Sequence, residues 1–154
     1  MTKDIVARLT EKGLKVAFAE SLTGGALAAA IVAVPGASAV LDEAMVTYSN
    51  TAKVARLGVL QATLDAHGAV SAQCAAEMAA GIAKATGADI GVATTGIAGP
   101  DGATPTKPVG LVFIGIWHGG IAASHKFTFS GERGEVIAQT VEEALKLLHN
   151  ELEV

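Results

Sequence analysis

Ser21 stands where an apolar run, residues 14–18, gives way to an alanine-rich run, residues 26–34. The first reads as a strand and the second as a helix, so a serine sits at a strand-to-helix turn. The free backbone N–H groups at a helix start can hold an anion or an oxyanion. Thr23, Gly24 and Gly25 are candidate ligand-holding residues, since the two glycines let a ligand approach the backbone there. Ser21 and Thr23 also suit a plain helix cap. A second constellation is Tyr48-Ser49-Asn50-Thr51-Ala52-Lys53, where another strand turns into a helix. A cation in the first turn of a helix opposes the helix dipole, which lowers its pKa. Lys53 is therefore a candidate base for Ser21, although an exposed lysine needs no such role.

Two further segments could hold a ligand. Thr94-Thr95-Gly96-Ile97-Ala98-Gly99-Pro100-Asp101-Gly102 follows a strand end, where open α/β sheets bind ligands. Its hydroxyls and glycines, Thr95, Gly96 and Gly99 among them, suit a nucleotide's phosphate or ribose. It matches neither a P-loop nor the dinucleotide fingerprint. Arg133, near the start of the last helix, can clamp a phosphate or carboxylate. Cys74 falls inside a helix and reads as packing. No histidine and acid are spaced to suggest a Ser-His-Asp triad.

The elements that must position these residues follow from periodicity and punctuation. Residues 2–12 read as a helix with an Ile5, Val6, Leu9 stripe, capped by Thr2 and ended by Gly13. A helix over 24–34 stops at Pro35-Gly36. Residues 44–48 are β-like, and Ser49 or Asn50 caps a helix ending near Gly58. Short and long helices are expected at 60–66 and 71–86, the latter capped by Ser71. Strands follow at 89–95 and 109–117, the second apolar throughout as a central strand should be. His118-Gly119-Gly120 reads as a hairpin turn into residues 121–129, whose odd positions from Ile121 to Phe129 share one side. Residues 131–151 form a final helix with Ile137, Val141, Ala144 and Leu148 inward. The hairpin makes the sheet mixed, and the expected fold is one α/β domain over 1–154, a three-layer α/β/α sandwich.

Composition sets the outer limits. The chain has 154 residues, 51% of them hydrophobic but only 4% aromatic, with 18 glycines. Close-packed helices and tight turns are expected rather than a core of large rings. A net charge of −4 argues against a broad nucleic-acid face. One cysteine excludes an internal disulfide, and no cluster has metal-ligand spacing. No apolar run suggests a signal peptide or a membrane span, so a cytoplasmic location is expected.

Taken together, Ala19-Glu20-Ser21-Leu22-Thr23-Gly24-Gly25, Val46-Thr47-Tyr48-Ser49-Asn50 with Lys53, His67-Gly68-Ala69-Val70-Ser71, and Gly96-Ile97-Ala98-Gly99-Pro100-Asp101-Gly102 with Lys107-Pro108-Val109-Gly110 closely resemble the CinA C-terminal domain family. That family includes the nicotinamide-nucleotide amidases. The resemblance covers nearly the whole chain. It implies hydrolysis of nicotinamide mononucleotide to nicotinate mononucleotide and ammonia in pyridine-nucleotide salvage, in a homo-oligomer, usually a dimer, with no cofactor or obligatory metal. It maps the nucleophile onto Ser21 and the lysine onto Lys53, with Tyr48 and Thr95 as further site residues. Protonated Lys53 or Tyr48 is then the candidate catalytic acid that returns a proton to the leaving ammonia. Many members carry a second arginine one turn after Arg133, where this chain has Ile137. Longer relatives add an N-terminal nucleotide-processing domain, so the stand-alone form is expected. The alternative is a nucleotide-binding or regulatory module linked to competence or DNA damage that does not hydrolyse.

Overall fold

The computed structural model describes residues 1–154. Five strands form one mixed sheet: β1 (Val16–Glu20), β2 (Leu41–Val46), β3 (Ile90–Gly96), β4 (Leu111–His118) and β5 (Ile121–Thr128), in the order β2-β1-β3-β4-β5. β1 runs parallel to both β2 and β3, while β4 and β5 add antiparallel, joined by the Gly119-Gly120 turn. The three parallel strands therefore end at the same edge, where α/β sheets place their ligand sites.

Helices cover both faces. On one side lie α1 (Thr2–Lys12), α2 (Ala26–Val32) and α6 (Arg133–Glu151); on the other lie α3 (Asn50–Leu57), α4 (Gln61–His67) and α5 (Ala72–Thr86). The alternation of β1 divides the core. Val16 and Phe18 join the larger cluster under α1, α2 and α6, and Ala17 and Ala19 join the smaller one under α5.

The expected elements are present, with shifted ends. α1 keeps its limits and its left-handed Gly13 stop, but Thr2 lies inside the helix and makes no cap. α2 cannot start at Gly24, because Gly24 and Gly25 both have positive φ, 58° and 105°. β2 ends at Val46, and Thr47 and Tyr48 leave the strand to enter the site. Along α6 the buried stripe is Val136, Thr140, Ala144, Leu145 and Leu148, so Ile137 and Val141 are only half-buried at its margin. On the edge strand β5 the expected apolar side reaches the core only near its end, where Phe127 and the following Phe129 stack at 5.3 Å; Ile121 is exposed.

Few aromatic residues and many small ones allow α5 to press onto the sheet. A Cβ added at Gly115 would lie 2.2 Å from the Ala75 carbonyl oxygen, and one at Gly91 would lie 2.1 Å from that of Ala79. Both obstacles are backbone, so relief requires moving α5. Gly115→Ala is expected to destabilise the fold by about 1–3 kcal/mol, the usual range for overpacking, read as a lower urea midpoint.

Candidate active site

The carboxyl ends of β1, β2 and β3 meet in a cleft of about 210 Å³ lined by Ser21, Tyr48, Asn50, Lys53, Thr95 and Arg133, among others. Ser21 follows directly on β1. Ser49 caps α3, its side chain accepting from the Ala52 N–H. Lys53 lies one turn into that helix. A helical side chain leans toward the N-terminus, so Lys53 reaches back over the β2–α3 connection.

Lys53 is 1% exposed. Its Nζ donates to the Thr47 carbonyl at 2.8 Å, the Tyr48 carbonyl at 3.0 Å and Ser21 Oγ at 3.0 Å. All three partners are neutral oxygens. Burial pushes the lysine pKa down, with a smaller opposing influence from Cys74. The buried Cys74 thiol is itself pushed up to about 11 by desolvation, so it stays neutral near pH 7. The lowered pKa expected for Lys53 is present, but burial is its leading cause, and no second cation contributes. The geometry also suits a neutral amine. Its two N–H groups can satisfy the two carbonyls, leaving the nitrogen lone pair for the Ser21 hydroxyl proton.

The start of α2 differs from the expectation. Glu20, fully buried, caps it: the carboxylate accepts from the N–H groups of Gly25, Leu27 and Ala28 and from the Thr23 hydroxyl. The Gly24 N–H donates to the Ser21 carbonyl. Thr23, Gly24 and Gly25 do not line the cleft, and Thr23 is buried against Glu20 and Thr94. Their expected part in holding a ligand is therefore corrected: the helix-start site is filled by the protein's own carboxylate. Among nearby backbone donors, the N–H groups of Leu22 and Thr23 have no partner in the fold, and Leu22 lines the cleft.

Thr95 and Gly96 do line the cleft. The Thr95 hydroxyl donates to the Ala69 carbonyl at 2.8 Å, tying β3 to the segment before α5. Arg133 is the first residue of α6. It donates to the Gly99 carbonyl at 2.7 Å and to the Tyr48 hydroxyl at 3.1 Å, so one guanidinium joins the loop after β3 to the loop after β2. Tyr48 is 60% exposed; its carbonyl holds Lys53, while its hydroxyl turns to Arg133. Gly99 lines a second hollow of about 640 Å³ that shares Ala98 and Arg133 with the cleft. No second arginine lines the cleft, and Ile137 packs against the larger core instead.

Sequence reasoning overlooked Glu20 as the α2 anchor and grouped Thr94 with the ligand loop. Thr94 is fully buried and bonds to Thr23 and the Ser21 N–H. A charged residue closing an otherwise apolar strand just before two glycines was the available signal for Glu20.

Fold and site define a mixed-sheet α/β/α domain with a lysine-paired serine at the carboxyl ends of its parallel strands. The family model described as the CinA C-terminal domain matches residues 1–152, and the chain belongs to that family. It is 51% identical over 144 residues to a competence-damage inducible protein of Clostridium novyi, covering 94% of this chain and 35% of that protein. A CinA-like protein of Kosmotoga olearia is 51% identical over 135 residues, 87% of this chain and 33% of its own length. The chain thus spans about a third of these curated relatives. Among solved structures, the competence/damage inducible protein CihA of Agrobacterium tumefaciens superposes with a TM-score of 0.91 at 40% identity, covering 99% of this chain and 96% of that one. The competence damage-inducible protein A of Klebsiella pneumoniae gives 0.93 at 37%, covering 99% and 97%. No helix here is long and apolar enough to cross a membrane.

If burial governs Lys53, its ammonium titrates below the ordinary lysine value. Selective NMR observation of the lysine Nζ signals should show one group losing its proton before the rest, and Lys53→Met should remove that signal.

Proposed function

We propose that the domain is a serine amidohydrolase acting on nicotinamide mononucleotide, releasing nicotinate mononucleotide and ammonia. The observation that carries this reading is the buried contact between Lys53 Nζ and Ser21 Oγ. The motif-by-motif family resemblance supplies the substrate.

Neutral Lys53 takes the Ser21 proton as Oγ attacks the carboxamide carbon. The Thr47 and Tyr48 carbonyls stabilise the ammonium that forms, because each accepts one of its N–H groups. The oxyanion falls to the free N–H of Leu22, the residue after the nucleophile, rather than to Gly24 and Gly25. Protonated Lys53 then returns its proton to the amide nitrogen, the C–N bond breaks, and ammonia departs, leaving an acyl-serine. Lys53 next activates water, which hydrolyses that ester and restores Ser21. Tyr48 enters through its carbonyl and its bond to Arg133. Thr95, Gly96 and Gly99 border the path from the cleft to the outer hollow. Arg133, between the two, suits the phosphate. A dimer in the cytoplasm is part of the same proposal.

Ammonia release from nicotinamide mononucleotide by the purified protein is the direct test; its absence would hand the site to a binding or regulatory role. Ser21→Ala should lose several orders of magnitude in turnover. Activity should climb with pH as Lys53 loses its proton, with a midpoint below the ordinary lysine value. Lys53→Arg should be as inactive as Lys53→Ala, because guanidinium stays protonated. Substantial activity in Lys53→Arg would make residue 53 a positioning charge.

Arg133→Ala should weaken the nucleotide more than the unphosphorylated riboside. A charged hydrogen bond is worth about 1.5–3 kcal/mol, so the ratio of kcat/KM values should move by about tenfold or more. Equal losses on both substrates would instead assign Arg133 to holding Tyr48 and the Gly99 loop.

A further inference from the structure

We infer that Glu20, Thr23 and Thr94 form a buried, one-directional hydrogen-bond chain that positions Ser21 for attack, with Thr94 its decisive link. The inference rests on Ser21 being the attacking group. Glu20 Oε1 accepts from the Gly25 N–H at 3.2 Å and the Leu27 N–H at 2.9 Å, and Oε2 accepts from the Ala28 N–H at 3.0 Å. Two backbone N–H groups already point at the lone pairs of Oε1, so that oxygen carries no proton and only accepts. The Thr23 hydroxyl, 2.6 Å from Oε1, must therefore donate to it.

That choice fixes the next one. A hydroxyl has a single proton, and Thr23 has spent its own, so at 2.8 Å Thr94 donates to Thr23 Oγ1. Thr94 Oγ1 then has only lone pairs left, and it accepts from the Ser21 N–H at 3.3 Å. The same N–H also donates to the Thr94 carbonyl at 3.1 Å. Every proton in the chain points toward Glu20. The far end grips the peptide that carries the serine. Glu20, Thr23 and Thr94 are 0%, 4% and 0% exposed, and none lines the cleft. They are positioning residues, acting on substrate only through Ser21. The chain also explains why the α2 start is closed to a ligand: its anion is already one end of the device.

Thr94→Val keeps the shape but removes donor and acceptor together, whereas Thr94→Ser keeps both. Two readouts separate this inference from the substrate reading: covalent labelling of Ser21 by phenylmethylsulfonyl fluoride, followed by mass spectrometry, and nicotinamide mononucleotide turnover. Thr94→Val should lower the labelling rate and kcat about 10- to 100-fold, the size expected for a misplaced reacting group, with KM changed by less than about twofold. The pH midpoint should stay put, since the burial of Lys53 and its two carbonyl contacts are untouched. Thr94→Ser should recover to within about threefold of the original rates, and Thr23→Val, one link further away, should lose less than Thr94→Val. Thr94→Val at full rate, or Thr94→Ser as slow as Thr94→Val, overturns the inference. Thermal unfolding is followed for each variant. Should Thr94→Val fail to fold, Thr23→Val decides, and full rate there also overturns it. Labelling without ammonia release sinks only the substrate reading, and the labelling rates still decide the chain. Ammonia release without labelling leaves the kcat values to decide the chain, and neither labelling nor release by the unaltered protein sinks both.

Discussion

An amine held out of water without a counter-charge is the constraint around which the ligand end of this fold is arranged. Lys53 is enclosed, and its partners are two carbonyls and one hydroxyl. Keeping an ammonium there costs several kcal/mol per ion, so the neutral form gains ground. Each neighbouring feature serves that enclosure. β2 stops two residues early to offer its following carbonyls, Ser49 starts α3 at the right register, and Cys74 contributes an uncharged wall. Placed in solvent, the same lysine would be a cation at pH 7 and could not accept a proton.

Much of the fold was legible in the chain because its signals are local. Gly13, Gly58 and Gly87 end helices in the left-handed conformation, Ser49 and Ser71 cap the helices they precede, and the apolar run at β4 reads as a strand covered on both faces. The misreadings were tertiary. Where β2 ends depends on its parallel register with β1, which pairs Glu20 with Val46. The α6 stripe is rotated by one residue relative to the Ile137–Val141 expectation, because the angle at which α6 meets the sheet decides which side is covered. The exposed side of β5 cannot be inferred from alternation alone, since an edge strand can alternate with little laid over it.

The site was half legible for a similar reason. Ser21, Lys53, Thr95 and Arg133 were marked by residue type at element boundaries, and the structure gathers all four around one cleft. Gly24 and Gly25 were misjudged because free donors at a helix start are an invitation that any nearby acid can accept, and Glu20 does so from seven and eight residues away in sequence. The direction of the Thr94 contact requires the whole chain of donors and acceptors, which no window of sequence contains.

Ser21 directly follows the central parallel strand, Lys53 belongs to the layer packed on the smaller core, and Arg133 to the layer packed on the larger one. The two helical layers meet only through the sheet and the loops at its edge. On the proposed reading, proton transfer and recognition of the distal group are thus housed in separate layers. Substitutions that accumulate in α6 and its preceding loop can retune what is recognised while the lysine pocket, closed by α3 and α5 on the far face, stays as it is. Such a division lets a lineage widen or narrow its choice of substrate without rebuilding its chemistry. Ile137, where the family resemblance leads one to expect an arginine, lies in that same layer.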